Sequence, residues 1–303
     1  MRLDDFDPND VDIEDQRGRA NGGLGGFGFG GGQGLQLGGG GLGIGTIALL
    51  MVGAWMLGFN PLGVLGLVGG GQVSAPVEQR PAAGGNDATS SCTVDAASRE
   101  SCNALSSLNK TWRELFAKRG HNFSRPRLVF YSSRGSSGCG AAQSAMGPFY
   151  CPADNGIYLD TDFYRQMDTD LGATGQFARD YVIAHEYGHH IQSLLGTSAK
   201  VRAQEKANPD AANPLSVRLE LQADCYAGVW AARNRDRLEK GDMESGLNAA
   251  HQIGDDTLMK SAGRTPVEAA FTHGSSAQRM EWLRRGMESG DPAKCNTFDA
   301  IRG

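Results

Sequence analysis

The sequence predicts an α+β fold, in which a small sheet packs with several helices over residues 90–303. Two short runs of apolar and aromatic residues, at 127–131 and 156–160, have the length and the turn-forming flanks of strands. Apolar residues before and after these runs recur at three- and four-residue steps, as in helices that bury one face. About half of the 44 glycines lie between residues 18 and 71, where no packed core can form. One folded domain is therefore expected after an unfolded N-terminal region.

The N-terminal region divides into three predicted segments. Residues 1–41 begin with an acidic head and continue into the glycine-rich stretch, and we expect them to be a disordered tail. Residues 42–59 carry no charge and are long enough to cross a bilayer as one transmembrane helix, and residues 60–89 form a linker. The alternative for 42–59 is a hydrophobic linker that lies on the protein surface, because its glycines lower the helix propensity.

Flanking charges and cysteines indicate the orientation of this segment. Arg17 and Arg19 precede it, whereas the first basic residue after it is Arg80. Basic residues favour the cytoplasmic side. All six cysteines fall in the domain at 90–303, and an even number suits an oxidising compartment. We therefore expect a single-pass membrane protein that contacts lipid through 42–59, with the large domain periplasmic or otherwise extracytoplasmic.

The cysteines also suggest disulfides. Cys92 with Cys102 and Cys139 with Cys151 are the local pairings. No two cysteines have the Cys-x-x-Cys spacing, which argues against a structural zinc site held by cysteines. Cys225 is either disulfide-bonded or a buried free thiol.

The most informative string is His-Glu-Tyr-Gly-His-His at 185–190, inside a predicted buried helix from about 174 to 195. Residues four apart share a helix face, so the imidazoles of His185 and His189 can converge on one metal ion. Glu186 then leans toward the open side of the metal as a candidate base. The alternative is an ordinary core helix with histidines at its surface.

Two glycines and a third histidine complete this helix. Gly196 is placed to end it. Gly188 costs about 1 kcal/mol against alanine within a helix, and its missing side chain would let backbone or substrate approach the site closely. His190 is turned about 100° away from the ligand face, and we expect it beside the ligands or at the surface.

A second predicted helix supplies the third ligand that a zinc site needs. It opens at Asn213-Pro214 with Ser216 as cap and places Glu220 and Asp224 on one face. We assign Glu220 as the ligand and Asp224 as the group that hydrogen-bonds a ligand imidazole. The alternatives are the swapped assignment and two carboxylates on a solvated face.

Four stretches resemble the bacterial neutral zinc metallopeptidases, namely residues 147–152, 184–190, 220–225 and 271–279. The similarity runs nearly end to end and includes Glu-Asp-Gln-Arg-Gly at 14–18 and Cys-Asn-Thr-Phe at 295–298. The resemblance implies a membrane-anchored, zincin-like peptidase domain that binds one Zn²⁺ per chain and acts on protein or peptide. The residues that match the family's site are His185, Glu186, His189 and Glu220.

A mechanism follows from these residues. Glu186 would take a proton from the attacking water and return it to the leaving amine. A further donor is expected where negative charge develops on the carbonyl oxygen. The candidates are, in order, His273, Arg279 and Tyr226, and a structural role for His273 stays open. In zinc peptidases of this plan an edge strand pairs with an extended substrate. Residues 156–160 are the candidate unless they form an interior strand, and residues 197–213 are expected to be a mobile loop over the site.

Two function classes remain at this point. The first is a zinc metalloendopeptidase, and the alternative is a catalytically silent, metal-stabilised binding or assembly module of the cell envelope. Glu186 favours the enzyme, because an inactive descendant need not keep a base beside its ligands. Deacetylases and amidases can share the metal ligands. The net charge of -5 and the lack of a basic-aromatic pattern argue against nucleic acid as a partner.

Overall fold

The computed structural model describes residues 1–17, 87–143, 146–170 and 172–298. The predicted transmembrane segment, 42–59, and nearly all of the predicted linker, 60–89, lie outside these residues. Within them, no helix is both long enough and apolar enough to cross a membrane. The predicted mixed α+β architecture with a small sheet is confirmed.

The described residues form six strands and nine α-helices. The strands are β1 (Asp12–Asp15), β2 (Arg127–Tyr131), β3 (Arg134–Ser137), β4 (Gly140–Gln143), β5 (Phe149–Cys151) and β6 (Gly156–Asp160). The helices are α1 (Ala88–Cys92), α2 (Ala96–Ala117), α3 (Asp162–Thr169), α4 (Gln176–Leu194), α5 (Thr197–Ala207), α6 (Ala212–Arg233), α7 (Asp242–Gln252), α8 (Asp255–Ser261) and α9 (Ser276–Ser289).

The main sheet has the strand order β1-β2-β6-β5. β1, β2 and β6 are parallel, β5 is antiparallel to β6, and β3 and β4 form a separate hairpin. The two predicted strands are confirmed as β2 and β6 with the same bounds. The expectation that residues 156–160 form the edge strand is wrong, because β6 lies between β2 and β5 and all of its residues are buried. β5 forms that edge of the sheet.

Residues 1–17 are folded onto the domain, contrary to the disordered tail that was predicted. β1 pairs with β2 from Asp12↔Arg127 to Asp15↔Phe130. Leu3, Val11 and Ile13 are buried in the main core. The head has few apolar residues, which predicted disorder, but Val11 and Ile13 alternate with acidic residues at the period of a strand that buries one face.

The two long helices α4 and α6 carry the candidate metal ligands. α4 closely matches its predicted bounds and ends before Gly196, whose φ is +73°. α6 begins at Ala212 without a side-chain cap, so the predicted Ser216 cap is wrong. Residues 197–213, the predicted mobile loop, are largely helical in α5, because their alanine, lysine, glutamine and glutamate residues are good helix formers.

α9 crosses α6 at a pair of glycines. A Cβ atom on Gly286 would lie 2.0 Å from the carbonyl oxygen of Cys225, and one on Gly228 would lie 2.2 Å from that of Leu283. Only glycine permits backbones to approach this closely. The contact brings Arg279 of α9 against the inner face of α6.

Three disulfides use all six cysteines. The predicted pairs Cys92–Cys102 and Cys139–Cys151 are confirmed. Cys225 pairs with Cys295, so the free-thiol alternative is wrong.

Candidate metal centre

Three potential metal ligands converge between α4 and α6. Glu220 Oε2 lies 3.0 Å from His185 Nε2, and Glu220 Oε1 lies 3.4 Å from His189 Nε2. The three donor atoms all lie within 4.8 Å of one another. Among the described residues this is the one cluster that could hold a metal ion. The sequence predicted all three members.

The spacing of these atoms fits zinc. Tetrahedral zinc with ligand distances of about 2.0–2.1 Å places neighbouring donor atoms about 3.3 Å apart. The separations of 3.0 and 3.4 Å match that value. Two imidazoles and one carboxylate also match the donor set of catalytic zinc sites, which leave a fourth position for water.

Asp224 fixes the imidazole of His185. Its Oδ1 lies 2.8 Å from His185 Nδ1 and accepts a 2.6 Å hydrogen bond from the Tyr181 hydroxyl. Arg279 donates to both carboxylate oxygens at 2.9 Å. Burial alone would raise the pKa of Asp224, but the charges of Arg279 and His185 hold it at about 2. Asp224 therefore stays ionised and directs Nε2 of His185 toward Glu220.

Burial and charge also set the protonation of His185. Burial lowers its pKa, but Asp224 and Glu220 together raise it to about 10. A metal ion must therefore displace a proton from this imidazole on binding, which makes the affinity pH-dependent.

His189 is fixed by a residue that the sequence reasoning missed. Its Nδ1 lies 2.9 Å from Gln192 Oε1, and Gln192 Nε2 donates to the carbonyl oxygen of Leu219 at 2.7 Å. Gln192 thus connects the imidazole to the turn of α6 that carries Glu220. Helical spacing could have identified Gln192, and also Tyr181, which donates to Asp224. Gln192 follows His189 by three positions, and Tyr181 precedes His185 by four.

Gly188 allows α4 and α6 to touch. A Cβ atom there would lie 2.9 Å from Ala223 Cα and 3.0 Å from Ala223 O. The missing side chain of Gly188 was expected to let either backbone or substrate approach. The structure shows the approach of backbone. The contact lies between His185 and His189 on α4, and between the ligand Glu220 and its neighbour Asp224 on α6.

Glu186 is buried beside the ligands and is not one of them. Burial raises its pKa above the ordinary value, while the charges of His185 and His189 oppose that shift. The nearby backbone of Tyr150 in β5 also opposes that rise in pKa. The edge strand therefore reaches the candidate base directly, a contact that no local sequence signal reveals.

His190 holds this strand in place. It is fully buried, its Nε2 lies 2.7 Å from the carbonyl oxygen of Ser124, and its Nδ1 lies 3.2 Å from the Tyr150 hydroxyl. Burial lowers the pKa of His190 to about 4, so the ring is neutral. Of the two places expected for His190, the surface is therefore wrong, and the ring packs against Tyr150 and Tyr187.

His273 is half-exposed and is held by Asp255. Its Nδ1 lies 3.1 Å from Asp255 Oδ1, and the other oxygen of Asp255 accepts the backbone N–H groups of Thr272, His273 and Gly274. Partial burial lowers the pKa of His273, but Asp255 and the nearby charge of Glu220 raise it overall. These two carboxylates therefore favour the charged form of the ring. Asp255 carries no sequence motif and was not foreseen.

The other two candidate donors are held in buried contacts. Tyr226 is buried and packs edge-on against Trp112, with ring centroids 5.3 Å apart. Arg279 is buried, and its guanidinium donates to both carboxylate oxygens of Asp224. Tyr226 thus belongs to the core, and Arg279 acts through Asp224.

Comparison with known proteins gives a consistent result. Residues 5–298 match the family described as "Putative neutral zinc metallopeptidase". The uncharacterized protein YpfJ of Escherichia coli strain K12 is 45% identical over 253 residues, which cover 82% of this chain and 85% of that protein. The uncharacterized protein Mb2605 of Mycobacterium bovis is 38% identical over 266 residues, with the same shares covered. No solved structure matches the chain.

Proposed function

Because the chain belongs to the neutral zinc metallopeptidase family, we propose that it is an endopeptidase whose zinc ion is held by His185, His189 and Glu220. The observation that carries this proposal is the convergence of those three side chains beside a buried carboxylate, Glu186, that is left over for catalysis. A metal-stabilised binding module would need the ligands but not this base.

Zinc in such a site would polarise the attacked carbonyl and lower the pKa of a bound water. The chain's own residues supply the proton transfers. Glu186 accepts a proton from the attacking water and delivers it to the amine nitrogen as the peptide bond breaks. Burial moves the pKa of Glu186 toward neutral pH, which suits a group that must act first as base and then as acid.

The oxyanion and the substrate backbone have their own candidate partners. His273, fixed by Asp255 with its charged form favoured, would donate to the carbonyl oxygen as negative charge builds there. β5 replaces β6 as the strand that would pair with an extended peptide, because it is the edge of the sheet and contacts Glu186. A sheet edge above the helix that carries the ligands supports a zincin-like arrangement.

The compartment is part of the proposal. Three disulfides suit an oxidising environment, so the domain would act outside the cytoplasm on protein or peptide substrates of the cell envelope. Protease treatment of spheroplasts checks this location, since it should degrade the domain and spare cytoplasmic proteins.

The test of function uses the purified full chain and a peptide library. Cleavage should occur with zinc, stop with a chelator and return when zinc is restored. Glu220→Ala should lose zinc and activity together, whereas Glu186→Gln should keep zinc and lose activity. Full zinc occupancy in Glu220→Ala would contradict the ligand assignment. A zinc-loaded wild type that cuts nothing in the library would favour the binding module.

A further inference from the structure

We propose that residues 1–17 are a permanent edge strand of the peptidase domain and lie in the same compartment as it. For the reasons that follow, the chain between Arg17 and Asp87 then begins and ends on one side of any membrane. The proposal does not depend on catalytic activity. It replaces the expectation that the N-terminal head and the domain lie on opposite sides.

Backbone pairing is the first argument. β1 adds to β2 over four residue pairs, and Gln16 N–H donates to the carbonyl oxygen of Phe130 at 2.8 Å beyond the last of them. Leu3, Val11 and Ile13 join the main hydrophobic core. If β1 left β2, the backbone groups of both strands would lose their partners and the three apolar side chains would be exposed to water.

The Glu-Asp-Gln-Arg string at 14–17 is the second argument, because its side chains bind the head to α1, α2, β2 and the β3–β4 hairpin. Arg17 binds Asp15, donates to Ser98 Oγ at 2.6 Å and to Ser91 O at 3.0 Å, and places its guanidinium 4.6 Å from the ring centre of Phe130.

Gln16 extends this clip to the β3–β4 hairpin. Its side-chain amide exchanges two hydrogen bonds with the backbone of Ser136, donating to the carbonyl at 2.9 Å and accepting from the N–H at 2.8 Å. The amide thus imitates a strand residue. The Cys139–Cys151 disulfide joins the turn of that hairpin to β5. The head therefore helps to fix the strand that lies beside Glu186.

Charge complementarity is the third argument. The acidic residues of the head face arginines of the domain. Asp5 pairs with Arg237, Asp10 pairs with Arg113, and Asp12 lies 3.3 Å from Arg127. Asn109, a buried residue of α2, also donates from Nδ2 to the backbone carbonyl of Asp10 at 2.6 Å. The acidic residues of the head therefore help to dock it onto the domain.

These contacts restrict the membrane topology. A single crossing by residues 42–59 would separate Arg17 from Asp87 by a hydrocarbon layer about 30 Å thick. Paired strands, however, lie about 4.8 Å apart. One chain cannot satisfy both conditions. A single crossing between Arg17 and Asp87 is therefore incompatible with the docking of residues 1–17.

Cysteine pairs test the proposal in the full chain in intact cells. Asp12 and Arg127 are direct partners across β1 and β2, both half-exposed, and the protein has no free cysteine of its own. Asp12→Cys/Arg127→Cys should form an internal disulfide after treatment with a membrane-permeant oxidant. Thiols are blocked before lysis, and mass spectrometry identifies the linked peptides. Each single variant is the control and should show no internal cross-link.

The single variants also report the compartment. A membrane-impermeant thiol reagent added to spheroplasts should label Asp12→Cys and Arg127→Cys to the same extent, whether both are accessible or both are protected. Shared protection would keep this proposal and overturn the extracytoplasmic location. Labelling of Arg127→Cys with protection of Asp12→Cys would overturn the proposal. Equal labelling without a cross-link in the double variant would overturn the docking on which it rests.

Discussion

Replacing Gly188 with alanine should weaken zinc binding, although alanine is the better helix former by about 1 kcal/mol. The added Cβ would stand 2.9 Å from Ala223 Cα and 3.0 Å from Ala223 O, both backbone atoms of α6. Carbon atoms pack best at about 3.5–4.0 Å, so the helices must separate by roughly 0.5–1 Å. No rotamer change can relieve a clash with backbone.

The helices would separate within the metal centre, among the ligands and the residue that orients one of them. Gly188 stands between His185 and His189, and Ala223 stands between Glu220 and Asp224. Zinc–ligand distances tolerate changes of only about 0.2 Å. Overpacking costs about 1–3 kcal/mol, which outweighs the gain in helix propensity. We expect zinc affinity to fall roughly 10–100-fold, as for loss of a group that orients a ligand.

Competition with a zinc chelator measures the affinity, and thermal unfolding of the metal-free protein measures the packing cost. Gln204→Ala on the exposed face of α5 is the control, because it changes helix propensity without a contact to the metal centre. Zinc binding of wild-type strength by Gly188→Ala, with an unchanged or raised Tm of the metal-free protein, would refute the reasoning.

Three further predictions concern the base, the candidate oxyanion donor and the last disulfide. Glu186→Gln should keep zinc and the unfolding temperature but lose about two to four orders of magnitude in hydrolysis, and near-native turnover at full zinc occupancy would exclude Glu186 as the base. Asp255→Asn should move the alkaline limb of the pH–rate profile to lower pH, because Asp255 raises the pKa of His273 and the charged ring survives only below that pKa. A slower enzyme with an unmoved profile would leave His273 a structural role only. Serine at both Cys225 and Cys295 opens a loop of 70 residues and should cost about 4 kcal/mol, seen as a Tm roughly 10 °C lower, whereas an unchanged Tm would show that packing alone holds the C-terminal segment.

The sequence predicted the features that depend on local spacing. The histidines of α4 and the two carboxylates of α6 were found because four-residue spacing and helical periodicity coincide there. The same holds for β2 and β6, whose apolar runs end at turn formers. The ligand and base roles of these residues stay predictions.

Contacts between distant segments could not be predicted in this way. Arg279 reaches Asp224 across 55 residues, and Asp255 reaches His273 across 18. Neither position carries a periodic signal that names its partner. The edge of the sheet was misplaced for the same reason, because the position of β5 beside β6 follows from pairing and not from its own three residues. The acidic head was misjudged because its charges are satisfied by arginines more than a hundred residues away.

The parallel pairing of β1 with β2 has a consequence for biosynthesis. Strand β1 is made about 115 residues before its partner, as the pairing Asp12↔Arg127 shows. Contacts of such long sequence separation form late in folding. Until then β1 is an unpaired strand with apolar side chains, the kind of segment that joins foreign sheet edges. The seven carboxylates at positions 4, 5, 7, 10, 12, 14 and 15 act there as gatekeepers, repelling other copies of the same head while the arginine partners of Asp5, Asp10 and Asp12 are still being made.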